Sequence, residues 1–322
     1  MRVTVETPAS VERAELARLY LAMARIRSFE DAVMRAFQSG EIRGTTHLCS
    51  GQEAVSVGVC EALGPNDCVA ATYRGHGAAL ALGCDPEALF AEFLGRAGGI
   101  CGGRGGSMNV IDLEHRLLGC FGIVGGSIGA ATGAALAAEL TGDGTVAAAF
   151  FGDGALNQAY FHECLNFAGV RHLPVVYACE NNLYGEWTHM DETTAGGRLA
   201  QRAEAYGIPW EIADGNDVLA ARESAVRAVE RARAGDGPTL IEFLTYRHFG
   251  HSRSDPAKYR PREEVDSWLA RDPLPRLAER LGEQEAEALR ADAEREMSAA
   301  LERARAQAPA AGARTATAGR MR

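Results

Sequence analysis

The sequence predicts an α/β fold: a doubly wound, mainly parallel sheet with flanking helices. Two short apolar runs, 146–151 and 174–179, have strand length and end in polar or glycine residues. Residues 156–168 between them read as a helix, and strand–helix–strand over that length is a parallel crossover. The same order recurs downstream, where strands at 208–213 and 239–246 enclose an Ala/Arg helix at 218–234.

The other elements follow in chain order. Residues 10–39 read as a long amphipathic helix, with Leu16, Leu19, Met23, Ile26, Val33 and Phe37 near the 3.6-residue period and Gly40 closing it. Residues 53–63 form a second helix, and 68–72 a short strand ending at Tyr73 and Arg74. Residues 86–94 are helical. Glycines cluster between Gly95 and Gly133, with Ile100, Met108, Val110, Leu117 and Ile123 interleaved. That mixture predicts loops whose backbone approaches a ligand, in preference to low-complexity disorder. Residues 127–140, mostly Ala, Gly and Thr, form a helix whose small side chains permit close packing in the core or across a subunit interface. Residues 262–269 and 275–305 are amphipathic helices, a C-terminal extension of a single domain spanning 1–305. Residues 306–322 lack periodicity and are expected to be a disordered tail.

A net charge of −10 argues against general binding to nucleic acid or anionic membranes. No apolar stretch is long enough to span a bilayer, and the N-terminus has no apolar signal core. The eight cysteines contain no C-x-x-C pair, so neither a zinc site nor a disulfide framework is suggested. Cys60, Cys164 and Cys179 fall on apolar faces, as buried thiols would in a reducing compartment. The expected location is the cytoplasm.

Parallel pairing would set Asp153 and Asn182 side by side at the carboxyl ends of neighbouring strands, where open α/β sheets bind ligands. One carboxylate and one amide oxygen make a hard-oxygen pair suited to magnesium, which takes its remaining ligands from phosphate and water. Gly154 lets backbone approach closely, and a helix starting near Ala155 would aim free N–H groups at the same point. The local chemistry therefore points to a metal-bridged diphosphate. Taken alone, Gly152-Asp153-Gly154 and Asn181-Asn182 also read as turns.

Gly152-Asp153-Gly154-Ala155-Leu156-Asn157-Gln158, continued by Glu180-Asn181-Asn182-Leu183-Tyr184-Gly185, resembles the thiamine-diphosphate motif. More narrowly, it resembles the α subunit of the decarboxylating dehydrogenase component of pyruvate and acetoin dehydrogenase complexes. His47-Leu48-Cys49-Ser50-Gly51-Gln52-Glu53-Ala54, Tyr73-Arg74-Gly75-His76-Gly77 and Gly105-Gly106-Ser107-Met108 extend the match. So do Gly122-Ile123-Val124-Gly125 and Gly250-His251-Ser252-Arg253-Ser254-Asp255-Pro256.

The resemblance implies the thiamine-diphosphate-binding fold, with thiamine diphosphate and Mg2+ as cofactors. It implies Asp153, Asn182 and the backbone carbonyl of Tyr184 as metal ligands, and Gly154 and Ala155 in the cofactor site. Tyr73 and Arg74 are implied on the diphosphate, and backbone groups of Gly122 and Val124 on the aminopyrimidine ring. His251 and His47 are the expected catalytic residues. The resemblance puts His251 near the phosphates and reacting carbon, and His47 against the 2-oxo acid. A histidine near neutral pKa can donate to a carboxylate or a developing alkoxide, or move a proton. Plainer readings stand beside these: a surface ion pair for Arg74, a glycine turn at 122–125, and structural histidines, His76 among them.

The implied partner is a β subunit supplying the glutamate that activates the cofactor, in an assembly of two α and two β subunits. The implied reaction cleaves a carbon–carbon bond next to a carbonyl in a small 2-oxo acid or acetoin. The acyl or hydroxyalkyl unit then passes to the lipoyl domain of an acyltransferase or to another acceptor. Two positions depart from the family pattern: Asn109 replaces its usual histidine and Phe121 its usual asparagine. They raise the alternative of a specialised biosynthetic acyl-transfer (carboligating) subunit. Gly125-Gly126-Ser127-Ile128-Gly129 matches the nucleophile-elbow pattern, which makes a serine hydrolase using Ser127 a rival. A non-catalytic relative that keeps only the fold is another. A nicotinamide dehydrogenase is disfavoured, because no G-x-G-x-x-G follows a strand.

Overall fold

A computed structural model describes residues 11–42 and 44–311. The expected helix start at Ser10 and the segment 312–322 lie outside the described residues.

The chain begins with α1 (Arg13–Gln38), whose Leu19, Met23, Ile26, Phe29 and Val33 are fully buried. Next come α2 (Glu53–Glu61), β1 (Cys68–Thr72), α3 (His76–Ala81) and α4 (Pro86–Phe93). Asp85 caps α4 by accepting from the Glu87 N–H at 3.0 Å, and Pro86 fits the first turn, where no N–H is needed. β2 (Leu117–Phe121) and α5 (Gly126–Thr141) precede the central crossover of β3 (Ala147–Gly152), α6 (Ala159–Arg171) and β4 (Val175–Asn181). A hairpin of β5 (Tyr184–Gly185) and β6 (Thr188–His189) runs into α7 (Met190–Thr193). β7 (Trp210–Asp214), α8 (Val218–Arg233) and β8 (Thr239–Leu244) follow, then α9 (Arg262–Leu269), α10 (Pro273–Leu281) and α11 (Glu283–Ala306).

The main sheet has six parallel strands in the order β2-β1-β3-β4-β8-β7, so the α/β reading holds. Successive residues alternate between its faces. Ala148, Phe150, Val176, Ala178, Ile241 and Phe243 pack in one layer with α2 and α8. Ala147, Ala149, Phe151, Val175, Tyr177 and Cys179 pack in the other with α5 and α6. With both faces covered, the strands read as continuous apolar runs and not as alternating ones. Burying a side chain such as Phe150 or Phe151 contributes roughly 2–3 kcal/mol. A third cluster joins Leu16, Leu19 and Met23 of α1 to Leu274, Leu277 and Leu281 of α10.

The structure departs from the sequence reading in several segments. The glycine-rich region contains an edge strand, β2, and is built around one carboxylate. Glu92 on α4, 1% exposed, accepts the N–H groups of Cys101, Gly103, Gly105 and Gly106 at 2.8, 2.7, 2.6 and 3.1 Å. Four donors saturate a carboxylate, so one side chain orders the whole loop. The predicted helix at 156–168 is split: a 3-10 turn at Asp153–Asn157 precedes α6. The predicted helix at 275–305 is two helices, because Gly282 takes φ 101° between α10 and α11. Residues 307–311, expected within a disordered tail, are tied down. The Ala97 N–H donates to the Ala308 carbonyl at 2.8 Å and the Ala310 N–H to the Gly95 carbonyl at 2.9 Å. All eight cysteines are free; Cys60 and Cys179 are buried and Cys164 is half-buried. Among the described residues no helix is long and apolar enough to cross a membrane.

Gly51 locks the loop before α2 onto the chain leaving β8. Its φ is 98°, and a Cβ there would fall on the Tyr246 carbonyl oxygen and the His248 ring. Gly51→Ala combines left-handed backbone with overpacking and is expected to destabilise the protein by roughly 2–4 kcal/mol. A urea melt showing a change below about 0.5 kcal/mol, the range of an ordinary surface substitution, would show that this contact does not constrain the fold.

Candidate functional site

The carboxyl ends of β1, β2, β3, β4 and β8 converge on a cleft of about 410 Å3, within the size range of small-molecule and cofactor sites. β1 delivers Tyr73 and Arg74, β2 leads into the 122–125 turn, β3 delivers Asp153, and β4 delivers Asn182. Arg247 and His251 follow β8, while His47 and Gln52 come from the loop before α2. Every candidate site residue read from the sequence lines this one cleft.

β3 and β4 pair in parallel with Gly152 opposite Glu180, which brings Asp153 and Asn182 together as expected. Asp153 is 3% exposed. Burial pushes its carboxyl up to about 6, and Arg247 nearby only partly offsets this. The two asparagines divide their work. Asn181 turns inward and donates its Nδ2 to Glu242 at 2.7 Å, while its Oδ1 accepts the Leu183 N–H at 3.1 Å. Asn182 faces the cleft, donating Nδ2 to Gln52 Oε1 at 3.1 Å and accepting the Tyr184 N–H at 3.3 Å. Leu183 between them and Tyr184 sits at φ 72°, a left-handed strain of about 1–3 kcal/mol that such clamps store. Gly154 packs on the hairpin, where a Cβ would approach Gly185 Cα to 3.3 Å. One expectation is corrected here. No α-helix starts near Ala155: Gln158 is extended, and the N–H groups of Gly154 and Ala155 belong to the 3-10 turn.

Opposite this carboxylate lie two buried guanidiniums. Arg74 is no surface ion pair. It is 6% exposed and spans two loops, donating to the Leu48 carbonyl and, at 2.9 Å, to the His251 carbonyl. Arg247, 1% exposed, donates to Tyr259 Oη at 2.8 Å and to the Glu186 carbonyl, and its Nε has no partner. Neither arginine has an ion-pair partner among the described residues. Burial lowers Arg247 to about 10, and Arg74 adds to the effect.

The rings of His47, Tyr73 and His251 form one cluster, with His47 centroids 4.4 Å from Tyr73 and 4.8 Å from His251. Burial and the neighbouring Arg74 lower His251 to about 4 and His47 to about 2. Without a ligand both are therefore neutral at pH 7. Arg247 Nη1 lies 3.3 Å from His251 Nδ1. A guanidinium can only donate, so Nδ1 accepts and Nε2 carries the ring proton. His47 Nδ1 is buried with no partner. Asp255 closes the His251 loop by accepting the His251 N–H at 2.7 Å and Tyr259 Oη at 2.8 Å. His76 is structural, held between Glu30 at 2.9 Å and Ser107 Oγ at 2.8 Å.

On the other rim, Val124 is 41% and Ile123 72% exposed, and Tyr160 Oη donates to the Val124 carbonyl. Phe121 forms part of the wall, and Asn109 lies behind Gly122, donating to the Gly105 carbonyl at 3.0 Å. Ser127 is 1% exposed and its Oγ donates to the Phe150 carbonyl at 2.6 Å. With its hydroxyl spent on backbone and no histidine bonded to it, the serine-hydrolase reading fails.

Sequence reasoning missed Arg247, Gln52 and Glu180. Arg247 follows a predicted strand, the same signal that identified Asp153. Gln52 and Glu180 were visible only as letters within longer motif matches. Glu180 is buried in the cleft wall and is pushed up to about 7 by burial, an effect that the Gln52 amide partly offsets.

A family model described as the dehydrogenase E1 component matches residues 21–317. The chain is 47% identical over 246 residues to the α subunit of acetoin:2,6-dichlorophenolindophenol oxidoreductase from Bacillus subtilis, covering 76% of this chain and 74% of the relative. It is 43% identical over 286 residues to the pyruvate dehydrogenase E1 component subunit alpha of Zymomonas mobilis, covering 87% and 81%. The acetoin oxidoreductase α subunit of Cupriavidus necator is 42% identical over 256 residues, covering 80% and 77%.

The neutral imidazoles give a signed pH dependence. His251 takes its proton near pH 4 in the fold and near 6.5 when unfolded. Between those values the unfolded chain binds more protons, so the His251 contribution to stability is whole above about pH 6.5 and is lost as pH falls towards 4. In ligand-free protein the stability advantage of wild type over His251→Asn should shrink from pH 7 to pH 4.5 in urea melts. An advantage that grows on acidification would mean the imidazole is charged.

Proposed function

The chain belongs to the dehydrogenase E1 component family, and on that premise we propose that it is the α subunit of a thiamine-diphosphate-dependent 2-oxo acid or acetoin dehydrogenase. The observation that carries this is a mismatch of buried charge. One cleft holds two buried carboxyls, Asp153 and Glu180, and two buried guanidiniums, none of them in an ion pair among the described residues, at the strand ends where α/β sheets bind ligands. A divalent cation bound together with a diphosphate would answer both at once.

The donors fit that group. Asp153 and Asn182 side-chain oxygens with the Tyr184 carbonyl would hold Mg2+, a hard-oxygen set. Tyr73, Arg74, Arg247 and His251, with the Gly154 and Ala155 N–H groups, would hold the diphosphate. Backbone of Gly122 and Val124 would hold the aminopyrimidine ring. The chemistry supplied on binding is that of thiamine diphosphate, a sink for the electron pair released when the bond next to a carbonyl breaks. His251 would donate from Nε2 to a bound phosphate or to the reacting group, and His47, whose Nδ1 has no partner, would meet the 2-oxo acid. An added anion raises both pKa values from their ligand-free positions towards neutrality, where an imidazole can move a proton.

A β subunit completes the site. The named relatives are α subunits, Ile123 and Val124 expose apolar surface at the cleft mouth, and Leu140, Phe167 and Val170 expose more near the C-terminal ends of α5 and α6. Glu180 does not replace the β subunit's activating glutamate. It lies on β4, three strands from the ring-binding turn after β2, about 14 Å at normal strand spacing. We take the assembly to be two α and two β subunits, the acceptor to be a lipoyl acyltransferase, and the compartment to be the cytoplasm, which suits eight free thiols. Phe121 in the cleft wall favours a second reading, a biosynthetic acyl-transfer subunit with a different donor or acceptor. Ordinary pyruvate-to-lipoyl turnover by the purified α and β chains would remove it.

Calorimetric titration of thiamine diphosphate with Mg2+ into the co-expressed α and β chains should show metal-dependent binding that Asp153→Ala abolishes. Arg247→Gln should weaken it by about 10- to 100-fold, the worth of one charged hydrogen bond or two. No binding to folded wild type would refute the cofactor assignment and leave a non-catalytic relative as the better reading.

A further inference from the structure

We propose that Gln52 is a positioning residue that fixes which end of the Asn182 amide faces the bound cation. The inference rests on the reading of Asp153 and Asn182 as metal ligands.

A carboxamide has nearly the same shape when turned end for end, but one end is an oxygen and the other an NH2 group. Against a cation the two are opposites: the oxygen ligates and the NH2 repels. Sterics cannot choose between them, so hydrogen-bond partners must. Asn182 and Gln52 are 7% and 1% exposed, so water is not a dependable alternative partner. Asn182 Nδ2 donates to Gln52 Oε1 at 3.1 Å, leaving Oδ1 with the distant Tyr184 N–H at 3.3 Å and a free lone pair. Turned over, Asn182 would set its oxygen against the Gln52 oxygen and its NH2 against the Tyr184 N–H.

Gln52 is itself an amide and needs orienting. Its other end faces Glu180, whose ionised form it favours, so the donor end of the amide is directed to that carboxyl and Oε1 is left for Asn182. The order of control therefore runs from Glu180 to Gln52 to Asn182. The backbone under Gln52 is anchored as well. Its N–H donates to Cys49 at 2.9 Å, the Gly51 N–H donates to Glu53 at 2.9 Å, and Glu53 is held by Arg27 at 2.5 Å. The neighbouring Asn181 shows the contrast: its NH2 is held by Glu242, but its oxygen is used up on the Leu183 N–H.

The test is a double-mutant cycle on metal affinity, read by Mn2+ electron paramagnetic resonance in the α–β complex with thiamine diphosphate. Gln52→Leu should weaken Mn2+ binding by about 10- to 100-fold, the usual effect of losing a partner that orients a ligand. Asn182→Asp makes both ends of the ligand oxygen, so nothing remains to orient. In that background Gln52→Leu should cost less than about threefold by the same measure. Gln52→Glu, which keeps an acceptor for Asn182, should retain most of the affinity and serves if Gln52→Leu does not fold. An equal loss from Gln52→Leu in both backgrounds, or a loss from Gln52→Glu as large as from Gln52→Leu, would overturn the proposal. Wild type that takes up no metal would instead bring down the ligand assignment beneath it.

Discussion

A carboxylate taken out of water must find donors or a cation, and the folded chain depends on meeting that requirement. Each of the five most deeply buried acidic side chains outside the cleft, among the described residues, meets it. Glu53 meets Arg27, Asp67 meets Arg233, and Glu30 meets His76. Glu242 takes the Asn181 amide and the Ala200 N–H, and Glu92 takes four backbone N–H groups. Several of these pairs join segments far apart in sequence, so they brace the sheet and its loops against each other. Inside the cleft Asp153 and Glu180 are buried without an ion-pair partner among the described residues, and they lie where two arginines lack one as well. The local energetics are poor in the ligand-free protein, and that makes the cleft a receptor.

The parallel sheet makes this concentration possible. Every strand ends on the same side, so loops from residues 47 to 251 in the sequence meet in one place. Arg74 then fastens two of them, reaching the carbonyls of Leu48 and His251. Because those bonds use carbonyl oxygens, no carboxylate pairs with the guanidinium among the described residues. The same side chain is both a strut for the histidine loops and part of the positive field that keeps His47 and His251 neutral.

The central crossover was legible in the sequence because Val146–Cys179 repeats the pattern apolar run, helix, apolar run, and the outcome at Asp153 and Asn182 follows from strand pairing alone. The misses have physical causes. β2 is five residues long, includes Gly119, and lies at an edge with one partner, so its signal was lost among glycines. The break at Gly282 was hidden by helical periodicity on both sides of it. The order around Glu92 could not be read, because one carboxylate gathering four distant N–H groups leaves no periodic trace. Arg247 and Gln52 were underread for a related reason: their significance lies in which neighbours they have, or lack, in space.

The strand order also bears on how the polypeptide comes off the ribosome. β7 is made before β8 yet pairs with no other strand, and β4 has one bare edge until β8 slots in beside it. Until Thr239–Leu244 emerges, the apolar stretch Val175–Cys179 offers unpaired backbone to any passing chain. The last strand to be synthesised is thus the one that closes the sheet, and it brings Arg247 and His251 with it. A nascent subunit cannot acquire a finished cleft before its aggregation-prone edge is sealed.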